Sequence, residues 1–158
     1  MRHPYLFYSV IALLLMSCGG GGKSKIDEIK ARSIKAEPTS LAEAENNWKD
    51  YQGFGPVDPF DLPAEINQEL AVQGEEVYSA KCTACHKPDK RFIGPAPKGI
   101  LEKRNPAWIM NMILNPEEMV QKDPLAKQLL IEFNGSPMAN QNLTKEEARA
   151  VLEYFRTL

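Results

Sequence analysis

The sequence predicts an all-α fold: a small domain of four to five helices behind an extended N-terminal tether. Three observations point there. Helix-start signals recur through the second half of the chain. Asn105-Pro106, Asn115-Pro116 and Asp123-Pro124 each set a capping side chain before a proline suited to a first helical turn, and Thr144-Lys145-Glu146-Glu147 reads as a capping box. Apolar residues then return at helical spacing, with Ala148, Val151, Leu152 and Phe155 on one face. Aromatics are sparse, 8% of the 158 residues, while helix formers are common.

Taken in order, residues 1–17 read as an export signal. Arg2 supplies the positive start, and the apolar run from Leu6 to Met16 is too short to span a bilayer. The run ends in Leu15-Met16-Ser17-Cys18, which resembles a lipoprotein signal box, so the expectation is cleavage before Cys18 and acylation of that cysteine. An ordinary secretory signal with a stray cysteine is the plainer alternative. Gly19 to Gly22 would supply a flexible anchor point. The implied location is the periplasmic side of a bacterial membrane, inner or outer.

Residues 18–66 form the lipidated N-terminus and tether. Lys23 to Lys35 alternates charges and suits a transient helix, whereas Gly53, Gly55, Pro56, Pro59 and Pro63 forbid regular structure from Tyr51 to Pro63. As a loose coil, residues 23–66 would reach on the order of 35–40 Å. Trp48, Tyr51, Phe54 and Phe60 argue against a wholly solvated linker. The later part is expected to pack on the following domain; docking a partner is the alternative.

The domain proper runs over residues 67–158. Asn67 is the N-cap of a helix that carries Leu70, Gly74, Val77 and Tyr78 on one face and delivers the chain to Cys82. Cys82-Thr83-Ala84-Cys85-His86 is the attachment signature of c-type haem: each thiol adds to one porphyrin vinyl group, and the histidine is placed to ligate the iron. A thioredoxin-type pair would need a βαβ context, and a zinc site would need a second Cys/His pair; neither is present. The loop Lys87 to Pro97 follows, then helices at about 106–114, 116–121 and 124–133. Asn134-Gly135 ends the last of these, a loop runs from Ser136 to Asn142, and a final helix spans 144–155. Ile93, Ile100, Leu101, Trp108, Ile109 and Leu130 are the expected apolar pocket.

This layout resembles a class I c-type cytochrome over residues 67–158. Gly74, Tyr78 and Cys82 keep that family's spacing, in which the glycine lets the first and last helices cross closely. The resemblance implies that the Pro95 carbonyl accepts a hydrogen bond from the ligating His86, that Trp108 packs at the haem edge, and that Met138 is the second axial ligand. It implies one covalent haem c, with His86 and Met138 on the iron. Of the other methionines of the mature chain, Met110, Met112 and Met119 fall on helices, where methionine is more often core filler. A lysine or an open iron is the alternative to Met138.

A His/Met-ligated iron leaves no site for a substrate, so the expected role is single-electron transfer between a membrane donor and a terminal reductase or oxidase. A haem enzyme or gas sensor with a displaceable ligand is the competing reading, and a permanently bound subunit of a larger complex is a third. The partners expected are redox proteins and, through the lipid, a membrane; no small-molecule substrate is expected. A formal charge of −2 gives no sign of nucleic acid. Charge is nonetheless segregated: Lys81 to Arg104 holds seven basic residues against Asp89 and Glu102. That is either a solvated surface or a docking face for an acidic partner.

Overall fold

The computed structural model describes residues 38–158. The export signal over 1–17, the lipidation residue Cys18 and the charged stretch Lys23 to Lys35 lie outside the described residues. Among the described residues there are six α-helices and no strand: α1 (Leu41–Asn46), α2 (Gln68–Lys81), α3 (Pro106–Leu114), α4 (Pro116–Lys122), α5 (Pro124–Glu132) and α6 (Lys145–Phe155), with a 3-10 turn at Ile100–Glu102. No described helix is long and apolar enough to cross a membrane.

Local chemistry accounts for most of the boundaries. The Asn67, Asn105 and Asp123 side chains accept from the backbone N–H groups of Leu70, Ala107 and Ala126, opening α2, α3 and α5. Thr144 and Glu147 close a reciprocal capping box on α6. Asn134 and Gly135 both take positive φ, and the Gly135 N–H reaches back to the Leu130 carbonyl, so α5 cannot continue.

Two departures are instructive. Asn115 makes no cap for α4; its amide instead donates to Glu118 Oε2 at 2.5 Å and towards the Phe54 carbonyl. The amide is thus turned to a carboxylate one turn on and to the arm, and not to the backbone N–H groups of α4. Helix α1 is the other departure: Ser40 accepts from the Glu43 N–H while Glu43 accepts from the Thr39 N–H and hydroxyl. That reciprocal signature was present in Ser40-Leu41-Ala42-Glu43 but sat inside a stretch expected to be a tether.

Helices α2 and α6 cross at Gly74, where an added Cβ would overlap the Ala150 carbonyl. Close approach therefore demands glycine at this point. The buried face of α2 is Ala71, Gly74 and Tyr78, one register away from Leu70, which stays half-buried. Above the crossing, the Tyr78 ring meets Tyr154 and Phe155 at centroid distances of 5.3 and 5.8 Å. Glu153 of α6 is fully buried; it accepts from the Asn67 N–H at 2.7 Å and from Arg156 at 2.6 Å, and pairs with Arg149. Burial works to raise this carboxyl, but those donors overcome it and hold it below its ordinary value.

Residues 47–66 run over α3, α4 and α6 as an arm within the same compact unit. Asn111, fully buried on α3, clasps it: Oδ1 accepts from the Val57 N–H at 2.9 Å, and Nδ2 donates to the carbonyls of Gln52 and Val57 at 3.0 Å. The Phe54 N–H points at Met119 Sδ, 3.1 Å away, and Arg156 donates to the carbonyls of Pro63 and Ala64. Tyr51 and Val57 are buried in the shared core.

Candidate functional site

One cavity of about 230 Å³ lies between α2, α3, α5, α6 and the two loops that flank them. Cys82, Cys85, His86, Pro95, Trp108 and Met138 all line it. So the residues singled out around haem attachment, spread over 57 positions from Cys82 to Met138, share one space. Ile93, Ile100, Ile109 and Leu130 also line the cavity, whereas Leu101 packs against the core instead. Tyr78, Val151 and Phe155 complete the wall from the helix crossing.

The end of α2 sets the attachment positions. The Cys82 N–H closes the helix on Tyr78, and the N–H groups of Cys85 and His86 both return to the Cys82 carbonyl, coiling the five residues into one tight turn. Lys87 caps that turn by donating from Nζ to the Thr83 carbonyl at 2.9 Å. Cys82 and Cys85 form no disulfide; Cys82 is half-buried and Cys85 exposed.

The His86 ring is fixed from two sides. Its Nδ1 lies 2.8 Å from the Pro95 carbonyl oxygen, which can only accept, so the proton sits on Nδ1 and the Nε2 lone pair is left for a metal. Gly94 presses on the ring: a Cβ there would stand 2.5 Å from Cε1 and 2.8 Å from Nδ1.

Trp108 is buried against the cavity, and its only N–H is committed to Asp123 Oδ2 at 3.1 Å. The Arg104 guanidinium stands over the indole, 5.4 Å from the ring centroid. Asp123 and Asn111 were invisible to sequence reasoning as site-shaping residues. Asn111 is a polar residue within a helix and Asp123 a helix cap, and only the fold shows that each is wholly buried.

Of the four methionines at 110, 112, 119 and 138, only Met112 and Met138 line the cavity. Met110 is buried in the core, and Met119 meets the arm at Phe54. Met138 comes from the loop between α5 and α6, Met112 from within α3. No cluster of three or more His, Cys, Asp or Glu able to hold a metal occurs among the described residues.

These residues fit a covalent haem c. An apolar cavity opens beside two thiols on one turn, an imidazole with its nitrogen lone pair free stands next to them, and a thioether enters from a separate loop. Cys82 and Cys85 would hold the porphyrin, and His86 the iron.

The comparisons with known proteins agree. A family model described as cytochrome c matches residues 71–158. A solved cytochrome c from Rhodothermus marinus is 47% identical, covering 65% of this chain and 88% of that one, with a TM-score of 0.62. An engineered form of that protein, described as bound to a carbene intermediate, is 46% identical over 65% of this chain and 88% of that one, with a TM-score of 0.60. The cytochrome c domain of a protein from Pseudomonas putida is 29% identical over 53% of this chain and 85% of that one, with a TM-score of 0.50. No curated protein sequence matches. With its family match, its helical fold and its haem-attachment turn in agreement, the chain belongs to the cytochrome c family, class I, whose members carry a covalent haem c.

Proposed function

We propose that this protein is a single-electron carrier. His86 and Met138 are the two axial ligands, and the chain passes electrons from a membrane respiratory donor to a periplasmic or membrane terminal reductase or oxidase. Anchoring through an acylated Cys18 on the periplasmic side of a bacterial membrane belongs to the same proposal and rests on the sequence. When bound, haem c supplies the one-electron couple of its iron.

One observation carries this reading: among the described residues, the cavity wall contains no carboxylate and no histidine besides His86. Chemistry on a bound peroxide needs a group to move a proton, and the wall offers only Lys81 and the hydroxyls of Tyr78 and Ser136, the last of which stays protonated in water. Burial, the largest cause, pushes the Tyr78 hydroxyl above its ordinary value, so it holds its proton. The Pro95 carbonyl keeps the His86 proton on Nδ1 and makes the ring a better donor.

The rim suits a partner protein. Ile93 and Phe92 are exposed; Lys87 Nζ sits 5.0 Å from the Phe92 ring, and Lys81, Lys90 and Lys98 are exposed. An apolar patch among lysines supports docking of an acidic redox partner. Not all seven basic residues are available: Arg91 pairs with Glu132, and Arg104 is turned onto Trp108.

Optical spectra of the ferric holoprotein test the ligation. The expected result is a methionine–iron charge-transfer band that survives cyanide at levels that saturate an open ferric haem and yields only to a large excess, remains in Met112→Ala and vanishes in Met138→Ala, which keeps its covalent haem and binds carbon monoxide. A wild-type protein that is high-spin and binds carbon monoxide at once would overturn the carrier in favour of an enzyme or gas sensor.

A further inference from the structure

We infer that Asp123 is a positioning residue for the redox site: its buried carboxylate locks the Trp108 indole into the cavity wall and biases the haem iron towards its ferric state. The inference rests on haem c in this cavity and on the carrier role proposed above.

Asp123 sits at the joint between α4 and α5 and is fully buried. Its two oxygens have different tasks. Oδ1 accepts from the Ala126 N–H at 2.8 Å and caps α5. Oδ2 accepts from the Trp108 Nε1–H at 3.1 Å, fifteen positions away. Both oxygens accept from N–H donors, an arrangement that suits a carboxylate, which is acceptor-only.

The cap alone does not explain the charge. Asparagine or serine would cap α5 as well as aspartate does. Taking a carboxylate out of water costs several kcal/mol unless specific partners answer it. The residue therefore needs its second oxygen, and that oxygen serves Trp108. The indole in turn lines the cavity with almost no exposure, and its one donor must be satisfied where it lies. Asp123 fixes the ring plane from its edge, while the Arg104 guanidinium covers a face at 5.4 Å. Burial lowers the Arg104 guanidinium, and Glu45 and then Asp123 oppose that lowering.

A fixed negative charge behind one wall of an apolar cavity acts on whatever charge changes inside it. The ferric iron carries one more positive charge than the ferrous, and the field of Asp123 favours it. Removing the charge has a definite sign: the reduction potential rises. Mere loosening of the wall has the opposite sign, because admitted water stabilises the more highly charged ferric state and lowers the potential.

The experiment uses the holoprotein and the variants Asp123→Asn and Asp123→Ser, both of which retain a cap for α5. Asparagine has one acceptor oxygen, so capping α5 leaves an NH₂ facing the indole. The expected result is a shift of the ferric/ferrous equilibrium towards ferrous of roughly tenfold, about 59 mV for one electron. Exchange of the Trp108 indole N–H with solvent, slow in the wild type, accelerates at least about tenfold with its partner gone. A potential that falls, or rises by less than about threefold in the equilibrium, overturns the inference. So does a wild-type Trp108 N–H that exchanges as fast as an exposed indole, a measurement that needs no variant. The methionine–iron band, recorded on the same samples, reports separately on the ligation reading.

Discussion

The two loops that close the cavity are held in different ways. The loop carrying Pro95 is bound to itself and to the attachment turn by backbone hydrogen bonds: Gly94 N–H to the Cys85 carbonyl at 2.9 Å, Phe92 N–H to the Gly94 carbonyl at 3.1 Å and Lys98 N–H to the Pro88 carbonyl at 3.0 Å. Gly94 then packs on the His86 ring itself. The loop carrying Met138 is mostly exposed, and residues 137–143 make no backbone–backbone hydrogen bond among the described residues. Its ties are side-chain amides, such as Asn140 Nδ2 to the Leu114 carbonyl at 3.2 Å. The histidine side is over-determined, while the methionine side depends on chain stiffness at Pro137 and on a few exposed contacts. This difference teaches that the positions of His86 and Met138 differ in how readily they yield.

The Pro95 loop follows α2 and the Met138 loop leads into α6, so damage where those two helices pack should not distinguish the loops. Glu153→Gln is the largest expected effect. It leaves Arg149 and Arg156 facing a neutral buried group and should cost about 3 kcal/mol of holoprotein stability near neutral pH. The Glu153 carboxyl is held below its ordinary value in the folded state. Its stabilising contribution is therefore complete above the usual carboxylate range and is lost as pH falls through the lowered folded value. Melting temperatures of the two proteins measured against pH should differ widely at pH 7 and converge in acid, with the methionine–iron band of the still-folded variant unaltered. A gap that stays constant with pH would show that Glu153 acts through packing alone.

Gly94→Ala strikes one side only. The new Cβ meets the His86 ring at 2.5 Å, and the ring is tied to Pro95, so the loop must shift. The expected cost is about 1–3 kcal/mol in thermal unfolding, with a changed His86 ring environment by NMR. Equal stability and an unmoved ring would show that the histidine side is softer than its hydrogen bonds suggest.

How much of this was legible in the sequence follows from the range of the interactions. The starts of α3, α5 and α6 were readable because an Asx-Pro pair or a capping box acts within four residues. The Cys82–His86 turn was readable because covalent attachment fixes its spacing. The Gly74 crossing and the His86–Pro95 bond came from family likeness and are seen in the coordinates. What stayed hidden was non-local. Asn111 reads as an ordinary polar helix residue until the arm, more than fifty positions earlier, supplies its partners. Asp123 was recognised as a cap, but its bond to Trp108 depends on how α3 and α5 pack. Asn115 makes no cap, and its amide is turned to Glu118 and to the Phe54 carbonyl of the arm. Local patterns placed the helices, and buried polar side chains decided how the arm and the cavity wall meet.

The smallest effect gives the sharpest separation of the two loops. Pro137 stands next to Met138 and stiffens a segment with little else to hold it. Replacing it with glycine enlarges the conformational freedom that must be given up to keep Met138 in place, by about 0.4–1 kcal/mol. With Met138 on the iron as proposed, an added ligand such as cyanide competes against that ordering, so Pro137→Gly should bind it about two- to fivefold more tightly. Pro88→Gly is the matching change in the other loop. Its carbonyl still accepts from Lys98, and the Gly94–Cys85 bond is untouched, so its cyanide affinity should equal that of the wild type. Cyanide titrations of the two variants decide the matter. A rise confined to Pro137→Gly means that the Met138 loop is the yielding side, whereas equal rises mean that both loops open together and that the backbone bonds around Gly94 do not set the asymmetry.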